Sequence, residues 1–306
     1  MKTEKEQKKI VCYGEVLWDV FPTVSKPGGA PMNVAYHLHK MGIDSRMISC
    51  VGDDQQGKDL LKVLENWDIP TEDCQTDKNH PTGYVEAIAG EDNEMRYIIH
   101  ENVAWDNIVP SEQANVLVSQ ADAFVFGTLA ARSETSRNTL YALVEKAKYK
   151  VFDVNLRPPF YSREVLEYLL SKCDLLKLNI AELQLITSWY NEDGISEAES
   201  VESLQQQFGI AAVIVTKGSE GASYYDGTQH YFFPAFKVQV KDTVGSGDSF
   251  LAAFLSHKIN GDRIEKAMLY ATALGAFVTT QEGACPTYDT EVFNQFMDEK
   301  IKISIK

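Results

Sequence analysis

A run of small residues, Gly245, Ser246 and Gly247, is followed by Asp248 and by an apolar stretch at 250–259. The apolar stretch predicts a buried helix. The small residues would let backbone N–H groups approach an anion at the start of that helix, where the helix dipole favours negative charge. Asp248 could then accept a proton from a substrate hydroxyl while the amides receive a phosphoryl group. The same pattern is also typical of a tight turn in which Asp248 only stabilises the helix start, and the segment alone leaves both interpretations open.

Two other nucleotide-binding motifs are missing from the sequence. The G-x-x-x-x-G-K-[ST] motif fails because Gly57-Lys58 is followed by Asp59, and G-x-G-x-x-G fails because the glycine-rich segment runs into Phe250. The sequence therefore argues against a Walker-type ATPase and against a dinucleotide-binding Rossmann enzyme.

Short apolar strands alternate with helical segments along most of the chain. Predicted strands are 10–14, 45–52, 121–127, 149–155, 174–179 and 211–216, and predicted helices are 33–43, 57–67 and about 135–148. This alternation predicts an α/β fold with a doubly wound, mainly parallel sheet and helices on both faces. In such sheets ligands bind beyond the carboxyl ends of the strands.

One part of the chain departs from this alternation. Segments 82–89 and 94–100 are rich in β-forming residues and flank the polar turn 90–93, which predicts an antiparallel hairpin that could act as a lid. Since no repeat, low-complexity stretch or Pro/Gly-rich linker divides the sequence, we expect one domain over residues 1–306.

Composition limits the classes of function. The 306 residues are 44% hydrophobic and 24% charged, as in a globular protein, and 29 basic against 44 acidic side chains give a net charge of −15. This charge argues against nucleic-acid and anionic-membrane binding. The charged amino terminus and the lack of a long apolar run predict a cytoplasmic protein. The five cysteines lack a C-x-x-C motif, which indicates reduced thiols. His37 and His39 are two residues apart and would lie on different faces of a helix, so we expect no transition-metal site.

Six motifs occur in an order that gives the chain a specific resemblance to the PfkB, or ribokinase-like, carbohydrate kinases. They are GEVLWDV (14–20), GGAPMNVA (28–35), DVNLR (153–157), NIAE (179–182), TKGSEG (216–221) and DTVGSGD (242–248). The resemblance implies a ribokinase-like α/β domain with a small β-sheet lid, here from about 15–28 and 81–101. It also implies ATP and a small-molecule sugar as ligands, and a homodimer formed through lid strands.

The resemblance assigns catalytic and sugar-binding roles to particular residues. Asp248 resembles the catalytic base, and Gly245, Ser246 and Gly247 resemble the anion hole; where the family often has alanine, Ser246 keeps the same backbone donor. The predicted sugar-binding residues combine those that resemble the family's set with one residue of the lid, Tyr97. They are Asp19, Gly28, Gly29, Asn33, Tyr97 and Arg157. On the residues alone, Asp19 could equally be a solvated loop acid, and 28–33 a turn with Asn33 near a helix cap.

Further motifs resemble the family's nucleotide and cation sites. The N-x-x-E pair Asn179 and Glu182 resembles the site that orders Mg²⁺ and its waters, although on its own it indicates a helix capping box. Four residues resemble the family's nucleotide-phosphate turn: Thr216, Lys217, Gly218 and Gly221. On the residues alone, they could also form an ordinary turn into the hairpin 222–233. Two positions resemble ligands of the family's K⁺ site: the side chain of Asp242 and the backbone oxygen of Val244. Further ligands of that site would lie near Gly283.

The phosphoryl acceptor is predicted from the branch of the family. The motif GEVLWD, the short connection from Asp19 to Gly28, and DVNLR resemble the fructokinase branch, which implies transfer of the γ-phosphate of ATP to a primary hydroxyl of fructose. Arg157 could bind a sugar oxygen or the transferring phosphate. The same D-x-N-x-R pattern occurs in 2-keto-3-deoxygluconate kinases, where the arginine can meet a carboxylate with help from Arg96 and Tyr97, and ribokinase is a further alternative. A catalytically silent sugar-binding protein is a different class, which the intact Asp248 argues against.

Overall fold

The computed structural model describes residues 7–89, 95–190, 194–227 and 229–304. In chain order its strands and helices are β1 (Lys9–Tyr13), β2 (Leu17–Val20), β3 (Ser25–Gly28), α1 (Ala30–Lys40), β4 (Asp44–Gly52), α2 (Gln55–Asn66), β5 (Cys74–Asp77), β6 (Gly83–Ala89), β7 (Met95–Ile99), α3 (Glu112–Gln120), β8 (Ala123–Gly127), α4 (Glu134–Val144), β9 (Lys150–Asp153), α5 (Arg163–Leu170), β10 (Leu175–Asn179), α6 (Ile180–Thr187), α7 (Glu197–Phe208), β11 (Ala212–Thr216), β12 (Gly221–Tyr225), β13 (His230–Pro234), α8 (Ser246–Ile259), α9 (Ile264–Thr279) and α10 (Thr290–Ser304).

The main sheet has nine strands in the order β13-β12-β11-β10-β9-β8-β1-β4-β5. The seven strands from β11 to β5 are parallel, and β12 and β13 add an antiparallel hairpin at one edge. The predicted α/β fold with a mainly parallel sheet is therefore confirmed, and the hairpin expected at 222–233 is β12 and β13.

Helices cover both faces of this sheet and form a core on each. Alternate residues of a strand point to opposite faces, so Ile10 and Cys12 of β1 join one core while Val11 and Tyr13 join the other. The first core contains apolar side chains of α1, α8 and α9, and the second contains those of α4, α5 and α7. Burial on both faces explains why the strands read as continuous apolar runs.

A separate four-stranded sheet has the order β3-β2-β6-β7. The pairs β2–β3 and β6–β7 are antiparallel, and β2 and β6 pair in parallel. The predicted hairpin over 82–100 is thus confirmed as β6 and β7, while the predicted turn at 90–93 lies outside the described residues. We call these four strands the small sheet.

Two helices begin earlier than the apolar pattern predicts. Helix α1 begins at Ala30 with Pro31 in its first turn, three residues before the predicted start, because proline is well suited to a first turn whose N–H groups have no helical partner. Helix α8 begins at Ser246 rather than 250, so Gly247 and Asp248 lie in its first turn. In the described part of the chain no helix is long and apolar enough to cross a bilayer.

Candidate active site at the carboxyl ends of the strands

A cavity of about 610 Å³ opens where the parallel strands end, as expected for a doubly wound sheet. We call it the sheet-edge cavity. Its lining comes from the small sheet, from segments that follow β1, β9, β10 and β11, and from the start of α8. The lining residues used below are Glu15, Asp19, Gly29, Asn33, Tyr97, Arg157, Lys177, Asn179, Glu182, Thr216, Thr243, Val244, Gly245, Gly247 and Asp248.

The start of α8 places Asp248 at this cavity. Gly245 precedes the helix with φ of 75°, in the left-handed region, and a Cβ there would lie 2.6 Å from the Cα of Ala284. Glycine is therefore required for the turn that carries the predicted anion hole. The Asn33 side chain donates from Nδ2 to Oδ2 of Asp248 at 2.8 Å. Burial raises the pKa of Asp248, whereas the Lys177 ammonium and the Asn33 hydrogen bond act to lower it.

Lys177 is a site residue that the sequence analysis missed. Its ammonium donates to both oxygens of Asp153 at 2.9 Å, and the two side chains are only 9% and 6% exposed. A Cβ on Gly247 would lie 3.1 Å from Nζ of Lys177, so this cation lies against the first turn of α8. A lysine inside the apolar strand 174–179 was the available signal, because buried lysines need a charged partner.

Several residues predicted to bind the sugar lie in the small sheet or in the chain after it. Asp19 and Tyr97 line the cavity, and Tyr97 is 55% exposed. Gly28 of β3 pairs with Leu17 of β2, and a Cβ at Gly28 would overlap Oδ2 of Asp19, so this glycine makes room for the carboxylate. Gly29 lines the cavity and is the N-cap residue of α1, which carries Asn33.

Glu15 is a second residue that the sequence analysis missed. It is 4% exposed and lines the sheet-edge cavity together with Arg157. Burial raises the pKa of Glu15 to about 7 and that of Asp19 to about 6, and the nearby Arg157 guanidinium opposes both shifts. The Arg157 guanidinium also donates from Nη1 to the carbonyl of Leu156 at 3.0 Å.

Asn179 and Glu182 form the helix capping box that was the alternative interpretation of N-x-x-E. Glu182 N–H donates to Oδ1 of Asn179 at 2.9 Å, and Oε2 of Glu182 accepts from the Asn179 N–H at 2.8 Å. Oε1 of Glu182 accepts from the Leu156 N–H at 2.8 Å. Both residues also line the cavity, and each carboxylate oxygen keeps a second lone pair for water or a cation.

A second cavity of about 660 Å³ lies between the β11–β12 turn and helices α8 and α9. We call it the α8–α9 cavity. It shares Asn179, Thr216, Thr243 and Gly247 with the sheet-edge cavity. Its other lining includes Gly218, Gly221 and Ser246 from the predicted site, and the apolar side chains of Phe236, Val238, Val240 and Phe250.

Lys217 is the predicted nucleotide residue whose side chain is engaged elsewhere. Its ammonium donates to Glu197 at 2.9 and 3.1 Å and to Ser223 at 2.7 Å. Lys217 is not among the residues that line either cavity. The structure thus brings Thr216, Gly218 and Gly221 to the α8–α9 cavity without the Lys217 charge.

Asp242 joins the segments that were predicted to bind a monovalent cation. Its Oδ1 accepts from the Val244 N–H at 3.0 Å, and its Oδ2 accepts from the Gly283 N–H at 2.9 Å. Carboxylate and carbonyl oxygens in these segments are the donors that a hard cation prefers.

Known proteins resemble this chain along nearly its whole length. Residues 3–291 match the family model described as pfkB family carbohydrate kinase. The chain is 28% identical to probable fructokinase-2 of Arabidopsis thaliana over 92% of this chain and 93% of the relative. It is 29% identical to fructokinase of Solanum tuberosum over 92% and 93% of the two chains.

Solved structures share the fold. Fructokinase from Xylella fastidiosa with bound ATP gives a TM-score of 0.87 at 21% identity, covering 96% of this chain and 99% of that one. Aminoimidazole riboside kinase from Salmonella enterica, complexed with aminoimidazole riboside and an ATP analog, gives 0.81 at 21% identity, covering 95% and 100%.

Proposed function

The chain belongs to the pfkB family of carbohydrate kinases, and we propose that it is a fructokinase that transfers the γ-phosphate of ATP to a primary hydroxyl of fructose. One observation carries this proposal: the sheet-edge cavity and the α8–α9 cavity share Gly247, next to the half-buried carboxylate of Asp248. A sugar in the first cavity and a nucleotide in the second would meet at that point, where a base and backbone amides lie side by side.

Asp248 is the proposed general base. As the sugar hydroxyl oxygen bonds to the γ-phosphorus and the bond from phosphorus to the ADP oxygen breaks, Asp248 accepts the hydroxyl proton. Burial raises the pKa of this carboxyl and makes it a better proton acceptor, while Asn33 and Lys177 stabilise the ionised form that must be present before the reaction.

The first turn of α8 is the proposed anion hole. Backbone N–H groups of Gly245 and Gly247 stand at a helix amino terminus, where they can receive charge that develops on the transferring phosphoryl group. The Ser246 N–H, the third of the set, also donates to the Thr243 carbonyl at 3.3 Å. The small sheet is the proposed lid. Its residues Asp19 and Tyr97 line the sheet-edge cavity, so closure over a bound sugar would exclude water from the γ-phosphate.

The donor atoms fit the cations implied by the family. Asn179 lines both cavities and Glu182 lines the sheet-edge cavity, and their side-chain oxygens suit Mg²⁺ held through water. Mg²⁺, when bound with the nucleotide, supplies positive charge to the phosphates. The carboxylate of Asp242 and the carbonyl of Val244 would hold K⁺ beside the anion hole.

The charge of the sheet-edge cavity favours a neutral sugar over a sugar acid. Its lining carries four carboxyl groups against the two cations Arg157 and Lys177, and Lys177 already pairs with Asp153. The four are Glu15, Asp19, Glu182 and Asp248. An acceptor with its own carboxylate would therefore meet unfavourable charge, which supports fructose over 2-keto-3-deoxygluconate. The fructokinase names of the relatives support the same choice.

The test is ADP release with Mg-ATP and K⁺ across fructose, ribose, 2-keto-3-deoxygluconate and adenosine. We expect the highest kcat/KM with fructose, and Asp248→Asn should lower kcat by about 10²- to 10⁴-fold. A preference for 2-keto-3-deoxygluconate would assign Arg157 to a carboxylate and overturn the fructokinase proposal. Absence of any Asp248-dependent turnover, with the variant folded, would overturn the mechanism and favour a silent sugar-binding protein.

A homodimer through the small sheet is part of the proposal. Ile88 and Ile98 of this sheet, and Val24 in the turn between β2 and β3, are 44–49% exposed, which leaves apolar side chains for a partner copy to cover. Sedimentation should give a dimer mass, and Ile98→Lys should shift it to a monomer; a monomer mass for the unmodified chain would contradict this part.

A further inference from the structure

Cys285 is linked to the catalytic carboxylate through one side chain. Its Sγ lies 3.3 Å from Oδ1 of Asn33, and Nδ2 of the same asparagine lies 2.8 Å from Oδ2 of Asp248. The three side chains therefore form a line from a thiol, through an amide, to a carboxylate. The residues come from distant parts of the chain, since Asn33 is on α1 and Asp248 is on α8.

The amide in the middle has two different ends. Its NH₂ group can only donate and its oxygen can only accept, so only one orientation suits the ionised Asp248. If the amide turned over, its oxygen would face the carboxylate and the hydrogen bond would be replaced by repulsion. A donor at the opposite end would select the correct orientation, and the S–H group of Cys285 is placed there.

The thiol keeps its proton in this environment. Loss of hydration, together with the negative charges of Asp248 and Asp19, raises the pKa of Cys285 well above its usual range. A thiolate could not donate to Oδ1 of Asn33 and would repel it. The protonated thiol, although a weak donor, is the form that supports the observed orientation.

Helix α1 also fixes the chain on both sides of Cys285. His37 hydrogen-bonds through Nε2 to the carbonyl of Ala284 at 2.8 Å, and the Tyr36 hydroxyl donates to the carbonyl of Pro286 at 2.7 Å. Because Asn33 belongs to the same helix, the thiol and the amide are held in register by neighbouring turns of α1.

We propose that Cys285 is a positioning residue, whose S–H donates to Asn33 and thereby keeps the asparagine amide donating to Asp248. The proposal rests on the function proposed above for Asp248. The Asn33 hydrogen bond stabilises the ionised carboxylate, so loss of the thiol donor should raise the pKa of Asp248 and leave less of the ionised base at a given pH.

The test compares Cys285→Ser, which keeps an O–H donor, with Cys285→Val, which fills similar space without a donor. For Cys285→Val we expect kcat with fructose to fall about fivefold at neutral pH, KM for ATP to stay unchanged, and the acidic limb of kcat/KM to move to higher pH. Cys285→Ser should keep the limb of the unmodified enzyme. An unshifted limb in Cys285→Val, or an equal shift in both variants, would overturn the proposal.

A second measurement separates this inference from the activity itself. The ¹³Cγ chemical shift of Asp248, assigned with Asp248→Asn in the ligand-free protein, reports the pKa of this carboxyl without turnover. We expect a higher pKa in Cys285→Val than in the unmodified and Cys285→Ser proteins. Equal values in all three would refute the positioning role, even if a failed kinase assay had already refuted the proposed function.

Discussion

The ammonium of Lys177 donates to both carboxylate oxygens of Asp153, at 2.9 Å each, directly beneath the first turn of α8. Neither side chain is more than a tenth exposed, so each charge depends on the other for solvation. The pair places a cation next to the proposed anion hole, and its charge also stabilises the ionised form of Asp248. One buried contact therefore contributes to both folding and chemistry.

Removing the cation should separate these two contributions. In Lys177→Met the carboxylate of Asp153 is buried without a partner, so the free energy of unfolding should fall by about 3–5 kcal/mol in urea titrations. The pKa of Asp248 should rise, which moves the acidic limb of kcat/KM to higher pH. In Lys177→Met/Asp153→Asn the unpaired charge is gone, and both quantities should return towards those of the unmodified protein; a single variant with neither change would contradict the interpretation.

Sugar affinity should depend on the ionisation of Asp19. Burial raises the pKa of this carboxyl to about 6, so it is ionised at pH 7.5 and becomes protonated as the pH falls through that value. A protonated Asp19 loses an acceptor for sugar hydroxyls, so Kd for fructose should rise about tenfold per pH unit below about 6. Calorimetry without ATP measures this effect. Asp19→Asn should lack that phase; an unchanged profile would contradict the assignment.

Gly28 should be needed for sugar binding because of space. A methyl group there would overlap Oδ2 of Asp19, so Gly28→Ala should displace this carboxylate and raise KM for fructose about tenfold, with KM for ATP unchanged. Gly42→Ala is the control for a general loss of stability, since its φ of 81° strains an alanine while its Cβ would meet nothing within 4 Å. If both variants changed the sugar KM equally, a general effect of the substitution would account for the result.

His37 should make the fold sensitive to acid. Burial lowers its pKa from 6.5 to about 4, so between these values the unfolded chain takes up a proton that the folded protein does not. Stability is therefore lost as the pH falls from 6.5 to about 4, by on the order of 3 kcal/mol from this group. His37→Gln keeps a donor for Ala284 and does not titrate, so its unfolding free energy should lack this component. Parallel pH profiles for the two proteins would argue against it.

The regular parts of the fold could be predicted because burial on both faces of a parallel strand leaves a continuous apolar run, as in β11 and β10. The start of α8 could not be placed from polarity, because Ser246, Gly247 and Asp248 are polar or small although they are helical. The N-x-x-E motif forms the helix capping box, and Glu182 also lines the sheet-edge cavity, while its role towards Mg²⁺ stays a prediction. Lys177 and Glu15 were missed because their importance comes from partners far away in sequence.

The small sheet lines the sheet-edge cavity with Leu17, Asp19, Val85, Tyr97 and Ile99, whereas in the described part of the chain none of its residues lines the α8–α9 cavity. In the proposed enzyme the small sheet would therefore contact the acceptor and not the phosphate donor. We expect mutations in β2, β3, β6 or β7 to redirect such an enzyme to another acceptor while the α8–α9 cavity stays intact. This separation gives evolution, and protein engineers, a way to diversify substrates on one inherited phosphorylating core.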